Sequence, residues 1–263
     1  MSGTKEVGMG RDRQLSDAFV GLADTLGEDF DMVDLFERLA AHCVALSSAD
    51  AAGVMMSDGR GRLRAIAASQ QRAAFLELFQ LQLGEGPCVE CYRSGESVIA
   101  LPIEAHEEQW PELVPAVLEA GFGAIATVPL RLRDSVIGAV NLFYARPDPS
   151  TDEDLHLAQA LSDVAALSML RWPSPQTGPE DIIARLQAAI TNKVAIEQAK
   201  GVLAQFGGIE IAQAGEALRE YARARRTRVT DVARAVVRRT LPPESVLGYS
   251  AAAPRHVTGD GEL

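Results

Sequence analysis

Cys88 and Cys91, three positions apart, are the first pair in this 263-residue chain whose spacing could do chemistry. A lone C-x-x-C is half of a zinc site. It becomes a redox centre only where the thiol pKa is lowered, as a helix N-terminus after Pro87 could do. Structural cysteines and a redox or metal pair are both open on spacing alone. The three cysteines are an odd count, which suits a reducing compartment and argues against a disulfide framework. Four scattered histidines give no paired spacing for a metal or a general base. The chain has no Gly-x-x-x-x-Gly-Lys-Ser/Thr loop, no His-Glu-x-x-His and no Gly-x-Ser-x-Gly. Gly121-Phe122-Gly123-Ala124-Ile125-Ala126 fits the loose dinucleotide pattern. It follows a helix and enters a strand, however, the reverse of what pyrophosphate binding at a helix N-terminus demands. The expectation is therefore a chain that is not an enzyme, with no catalytic residue, no metal and no built-in cofactor.

Charge is more informative, because it is unevenly spread. Residues 1–179 hold 13 basic and 26 acidic side chains, a net of −13, whereas residues 180–241 hold 11 basic and 7 acidic, a net of +4. A locally basic segment in an acidic chain is either a nucleic-acid footprint or a solvated helical face. The basic side chains of this segment are the candidates for contact with an anion.

Those residues must be positioned by helices, and periodicity supplies them. Leu15, Phe19, Leu22 and Leu26 recur at helical spacing, as do Phe30, Val33, Leu35, Leu39 and Val44. Ala51–Met56 and Leu63–Ala68 read as strands about a glycine-rich loop. A helix around Phe75–Leu81 stops at Gly84–Pro87, a short strand spans Val98–Ile103, and a helix lies around Leu113–Leu118. Strands Ala124–Leu132 and Val136–Tyr144 flank an Arg133-Asp134 turn, with Val128, Leu130 and Leu132 alternating inward and outward. A helix over Asp152–Leu170 closes the unit. Strands arriving in hairpins with grouped helices make an α+β domain on an antiparallel sheet, here residues 13–171. The proline-rich segment 172–180 is the expected linker. Residues 181–241 read as three helices, and 242–263 as a tail without regular structure.

The first of those three helices has a buried face that switches sides. Ile182, Ile183, Leu186, Ile190 and Val194 form one stripe, and Ala195, Ile196, Ala199, Val202, Leu203 and Phe206 form another on nearly the opposite side. The second stripe closes a bundle with the next two helices. The first needs another partner: its own copy in a coiled-coil-like homodimer through Ile183, Leu186 and Ile190, or the first domain.

Residues 186–237 resemble the ANTAR domain, the RNA-binding antitermination module of bacterial regulators. The resemblance is carried by Ile196-Glu197-Gln198-Ala199-Lys200-Gly201-Val202-Leu203, Ala214, Leu218, Tyr221-Ala222-Arg223 and Asp231-Val232-Ala233. Gly215 departs from it, standing where a large apolar residue is usual, which predicts a softer second helix. The first domain is similar to GAF domains of actinobacterial regulators, through Gly84-Glu85-Gly86-Pro87-Cys88, Trp110-Pro111, Val128-Pro129-Leu130 and Ile137-Gly138-Ala139-Val140-Asn141-Leu142.

Together the resemblances imply a GAF–ANTAR antiterminator: a homodimer that binds paired hairpin loops in nascent mRNA, with a GAF domain that senses a signal of unassigned nature and has room in its family for a small-molecule ligand. Lys193 and Lys200 share a helix face with the small Ala189 and Ala204, so backbone or base could approach there. Tyr221 would either stack on a loop base or fill the core as a half-buried aromatic, and Arg223, Arg225 and Arg226 would hold phosphates. Two other classes compete: a DNA-binding regulator with a helix-turn-helix, and a protein-interaction module whose arginines meet an acidic partner. No uncharged apolar run reaches the roughly 18–20 residues of a membrane helix, and the N-terminus lacks a signal-peptide centre, so a cytoplasmic protein is expected.

Overall fold

Glycine and proline punctuation cuts the first part of the chain into short elements, and their pairing follows from it. The computed structural model describes residues 3–24, 31–58, 60–146, 152–170 and 179–252. They fall into two compact units, residues 1–27 with 32–190 and residues 28–31 with 191–263.

In the first unit, β1 (Ala51–Ser57), β2 (Leu63–Ala68), β3 (Val98–Ala100), β4 (Ala124–Leu132) and β5 (Ser135–Tyr144) form one sheet in the order β2-β1-β5-β4-β3. Every neighbouring pair is antiparallel. Helices α1 (Gly3–Ala23), α2 (Met32–Leu46) and α6 (Asp152–Leu170) pack with one another on one side of the sheet. Helices α3 (Gln71–Leu83), α4 (Pro87–Ser94) and α5 (Leu113–Glu119) cover the other. Both faces of the central strands are therefore dry. The expected alternation at Val128, Leu130 and Leu132 holds only at the exposed Arg131, because Thr127 and Pro129 on either side of Val128 are buried too.

The Gly84–Cys88 segment is a helix stop fused to a helix start. Gly84 ends α3 in the left-handed region (φ 68°), Gly86 sits at φ 112°, and Pro87 opens α4. The strand expected over Val98–Ile103 ends at Ala100, and Ile103–His106 turns as a short 3-10 helix. Trp110, Leu113, Phe122 and Phe143 centre the core on this side, and the Trp110 indole donates to Glu90 Oε1 at 3.0 Å.

One polar chain crosses this apolar core. Glu77 Oε1 accepts from Asn141 Nδ2 at 2.6 Å, and Asn141 Oδ1 accepts from Thr127 Oγ1 at 2.7 Å. A turn further along α3, Gln80 Oε1 accepts from the Cys88 amide at 3.3 Å. Gly53 on β1 is required here, since a Cβ would stand inside the Glu77 carboxyl group. Glu77 is fully buried, and loss of water pushes its pKa from 4.5 up to about 8, with the Asn141 hydrogen bond opposing. Its second oxygen has no hydrogen-bond partner among the described residues.

The second unit is all helix: α7 (Pro179–Gly207), which crosses from the first unit into the second, then α8 (Ile211–Arg225), α9 (Val229–Val237) and α10 (Pro243–Ala252). The tail expected to lack structure thus contains a fourth helix. It packs on α8, with Val246 fully buried and the Tyr249 ring edge-on to Tyr221, centroids 5.9 Å apart.

The buried Glu77 sets a pH dependence. Its folded-state pKa lies above the unfolded value, so its contribution to stability is complete below about pH 4.5 and falls away as pH rises through about 8. Glu77→Gln should flatten that decline and raise stability at pH 8.5 by roughly 1–3 kcal/mol. Thermal unfolding at pH 5, 7 and 8.5 reads this out, and an unchanged pH profile would show that Glu77 does not carry it.

Candidate nucleic-acid interface

From its middle onward α7 buries Asn192, Ile196, Ala199 and Leu203, a single stripe at helical spacing. Alanines are prominent among the buried residues of the next two helices, with Ala214, Ala217 and Ala222 on α8 and Ala233 on α9. Asn192 is satisfied within the unit, accepting from Arg234 Nη2 at 2.9 Å. Two residues assigned to this stripe from periodicity lie outside it. Val202 is 40% exposed and Phe206 59%, and they line an open groove with Gln198, Gly201, Gln205 and Val237. The described helices are too short and too few to cover α7 along its full length.

Lys193, Glu197 and Lys200 stand on one edge of α7. Lys193 Nζ lies 2.7 Å from Glu197 Oε1, and Lys200 Nζ lies 2.9 Å from the same oxygen. Burial alone would raise the Glu197 pKa, but the two ammonium groups more than reverse it and hold it below the usual carboxylate range. The lysine side chains are only 21% and 14% exposed. The close approach expected beside Ala189 is not available, because Ala189 is itself buried. Gly215 has a use that its helix propensity hides. A Cβ there would stand 2.8 Å from Lys200 Cε, so the missing side chain is the space the lysine occupies.

The arginines gather at the other end of α8. Arg223, Arg225 and Arg226 are exposed, about 12 Å further along the helix than Gly215. Arg226 caps α8 in the left-handed region (φ 51°), where glycine is the usual choice. Arg228, by contrast, pairs with Asp231 at 2.7 Å. Tyr221, expected as a stacking surface, is only 5% exposed: it packs against Tyr249, and the Arg225 guanidinium lies over its ring at 4.8 Å. Its spacing places it on the inner face of α8 with Ala214, Leu218 and Ala222. For the dimerisation stripe, Ile183 and Leu186 lie outside the residues whose side chains the structure describes, and Ile190 is half-buried. Val194, one turn on, is 53% exposed.

The cysteines are placed against reactivity. Cys43, Cys88 and Cys91 are buried, and burial raises all three thiols, Cys43 and Cys91 to about 12. The Glu77 carboxyl and Cys91 push Cys88 further up. A redox thiol needs the opposite shift. Among the described residues, no three His, Cys, Asp or Glu side chains come together as metal ligands.

Residues 31–169 match the GAF domain family and residues 184–237 match the ANTAR domain. The chain therefore belongs to the GAF domain family, with an ANTAR domain behind it. It has the organisation of a regulator with a sensor domain. Comparison with curated proteins gives no match. Among solved structures, the chain is similar to the GAF domain of a phosphoenolpyruvate-protein phosphotransferase from Coxiella burnetii, at 15% identity and a TM-score of 0.48. That match covers 62% of this chain and 94% of that one. It is also similar to a free methionine-R-sulfoxide reductase from Neisseria meningitidis, at 16% identity and a TM-score of 0.47, over 60% of this chain and 87% of that one. No described helix is long and apolar enough to cross a membrane.

The left-handed Arg226 carries a backbone cost. A non-glycine residue there costs about 1–2 kcal/mol, so Arg226→Gly should raise stability by about 1 kcal/mol. Urea unfolding measures the gain, and a variant no more stable than wild type would show that this turn holds no such cost.

Proposed function

We infer that this chain is a non-enzymatic, dimeric antitermination regulator. Its C-terminal unit binds hairpin loops in nascent mRNA, and its GAF domain senses a signal. The observation that carries the reading is the ANTAR match over 184–237, which coincides with the reversal from acidic to basic composition. In this reading Lys193, Lys200, Arg223, Arg225 and Arg226 hold phosphates, while splayed loop bases are read at their edges. Tyr221 then serves as the floor under Arg225, which its ring orients, and not as a stacking platform.

A helix-turn-helix repressor is the weaker alternative. Its recognition helix would be α9, nine residues long, whose Arg234 is already engaged with Asn192. The homodimer reading draws support from Val194, an exposed apolar residue that extends the Ile183, Leu186 and Ile190 stripe by one turn.

Replacing a phosphate-holding residue should weaken binding to any hairpin and lower the slope of log K against log salt by roughly 0.7–0.9 per contact. Arg223→Ala and Arg226→Ala are expected to do this in titrations of a synthetic two-hairpin RNA between 50 and 200 mM salt. Full affinity and unaltered slope in both folded variants would defeat the assignment. Separately, Leu186→Glu with Ile190→Glu should dissociate the dimer, since facing buried like charges cost several kcal/mol. Light scattering that still reports a dimer would refute the coiled-coil stripe.

A further inference from the structure

We propose that Glu197 and Gly215 are positioning residues for the phosphate-binding lysines, so that a carboxylate inside the basic patch strengthens RNA binding. The proposal rests on the RNA reading above. Lysine is a flexible, strongly hydrated point charge, and freezing its rotamers on binding is costly. Two lysines at positions 193 and 200 on a bare helix would each sample many rotamers. Here they do not stand alone. One oxygen, Glu197 Oε1, takes both ammonium groups at 2.7 and 2.9 Å. The two Nζ atoms are thereby held near enough for one phosphate group to touch both.

The stem of Lys200 is fixed from the other side. Its Cε passes over Gly215, where any Cβ would come within 2.8 Å, and its Nζ would lie 3.7 Å from that Cβ. Gly215 is buried in the first half of α8, in the helix interior where glycine is a poor choice. Its absent side chain is what leaves Lys200 room to reach Glu197. The ordering is done before the RNA arrives, and preorganised groups bind more tightly than mobile ones. Net charge is not sacrificed, since two cations and one anion leave the cluster positive.

The test turns on a sign. Point-charge electrostatics predicts that Glu197→Gln, which removes a negative charge beside a phosphate, tightens RNA binding. Positioning predicts that it weakens binding, by about threefold to tenfold. Glu197 is 45% exposed, so the variant should fold, and circular dichroism checks it. The full-length chain is titrated with the synthetic two-hairpin RNA as wild type, Glu197→Gln, Gly215→Ala, Lys193→Ala, Lys200→Ala and Gly215→Ala/Lys200→Ala.

Gly215→Ala should weaken binding to a similar extent, and it should have no further effect once Lys200 is alanine. Unchanged or tighter binding by Glu197→Gln overturns the positioning role of Glu197. A Gly215→Ala effect that persists in the Lys200→Ala background overturns that of Gly215. If instead Lys193→Ala and Lys200→Ala both bind at full affinity, the lysines are not part of the RNA surface, and the positioning role goes with them.

Discussion

A carboxylate between two ammonium groups is a costly arrangement to cover, and the C-terminal unit is built around covering most of it. Each lysine loses hydration as its stem is buried, and only a fixed opposite charge returns that energy. Glu197 supplies it to both, and the buried face of α7 fixes where the three residues stand. Asn192, Ile196, Ala199 and Leu203 are buried, so positions 193, 197 and 200 fall together on the edge of that stripe. Gly215 then follows from the position of Lys200. A helix-weakening residue in α8 is thus explained by a side chain on α7.

The sensor unit solves a different problem with the same economy. Its sheet is covered on both faces, so any polar side chain on the inner strands must find a partner inside the core. Asn141 does so twice, donating to Glu77 and accepting from Thr127. The result is a carboxyl group that sits among neutral donors and stays protonated well above the usual range. The thiols nearby are raised for the same reason, burial, which at Cys91 outweighs the opposing charge of Arg131. Apolar surroundings explain both sets of shifts, and neither requires a reactive cysteine.

Much of this was legible in the sequence where periodicity is strong. The strand hairpins, the Asp152–Leu170 helix and the α8 and α9 helices follow from spacing and punctuation. The parts that were not legible have physical reasons. α4 is eight residues long and begins at the proline that reads as a stop. α10 starts at the second of two prolines and has no apolar stripe; it is anchored by the buried Val246 and by the Tyr249 ring on Tyr221. Val202 and Phe206 share the helical period of the buried stripe, and spacing cannot tell where a neighbouring helix ends. Tyr221 was drawn outward by its arginine neighbours, though its spacing from Leu218 and Ala214 already placed it inside. Glu77 could have been found, because Gly53 and Asn141 interrupt otherwise apolar strands and an interruption on each of two paired strands marks a shared polar partner.

The central claim is that the basic C-terminal unit recognises RNA with splayed loop bases and not a regular duplex. Competition binding tests it most directly: the full-length chain bound to a labelled two-hairpin RNA, challenged with the same RNA unlabelled and with duplex DNA of equal phosphate number at 150 mM salt. Hairpin RNA should displace the label at concentrations at least about tenfold lower than the duplex, because loop bases add contacts that phosphates alone do not give. Equal competition by duplex DNA, or no binding to either, would contradict the account.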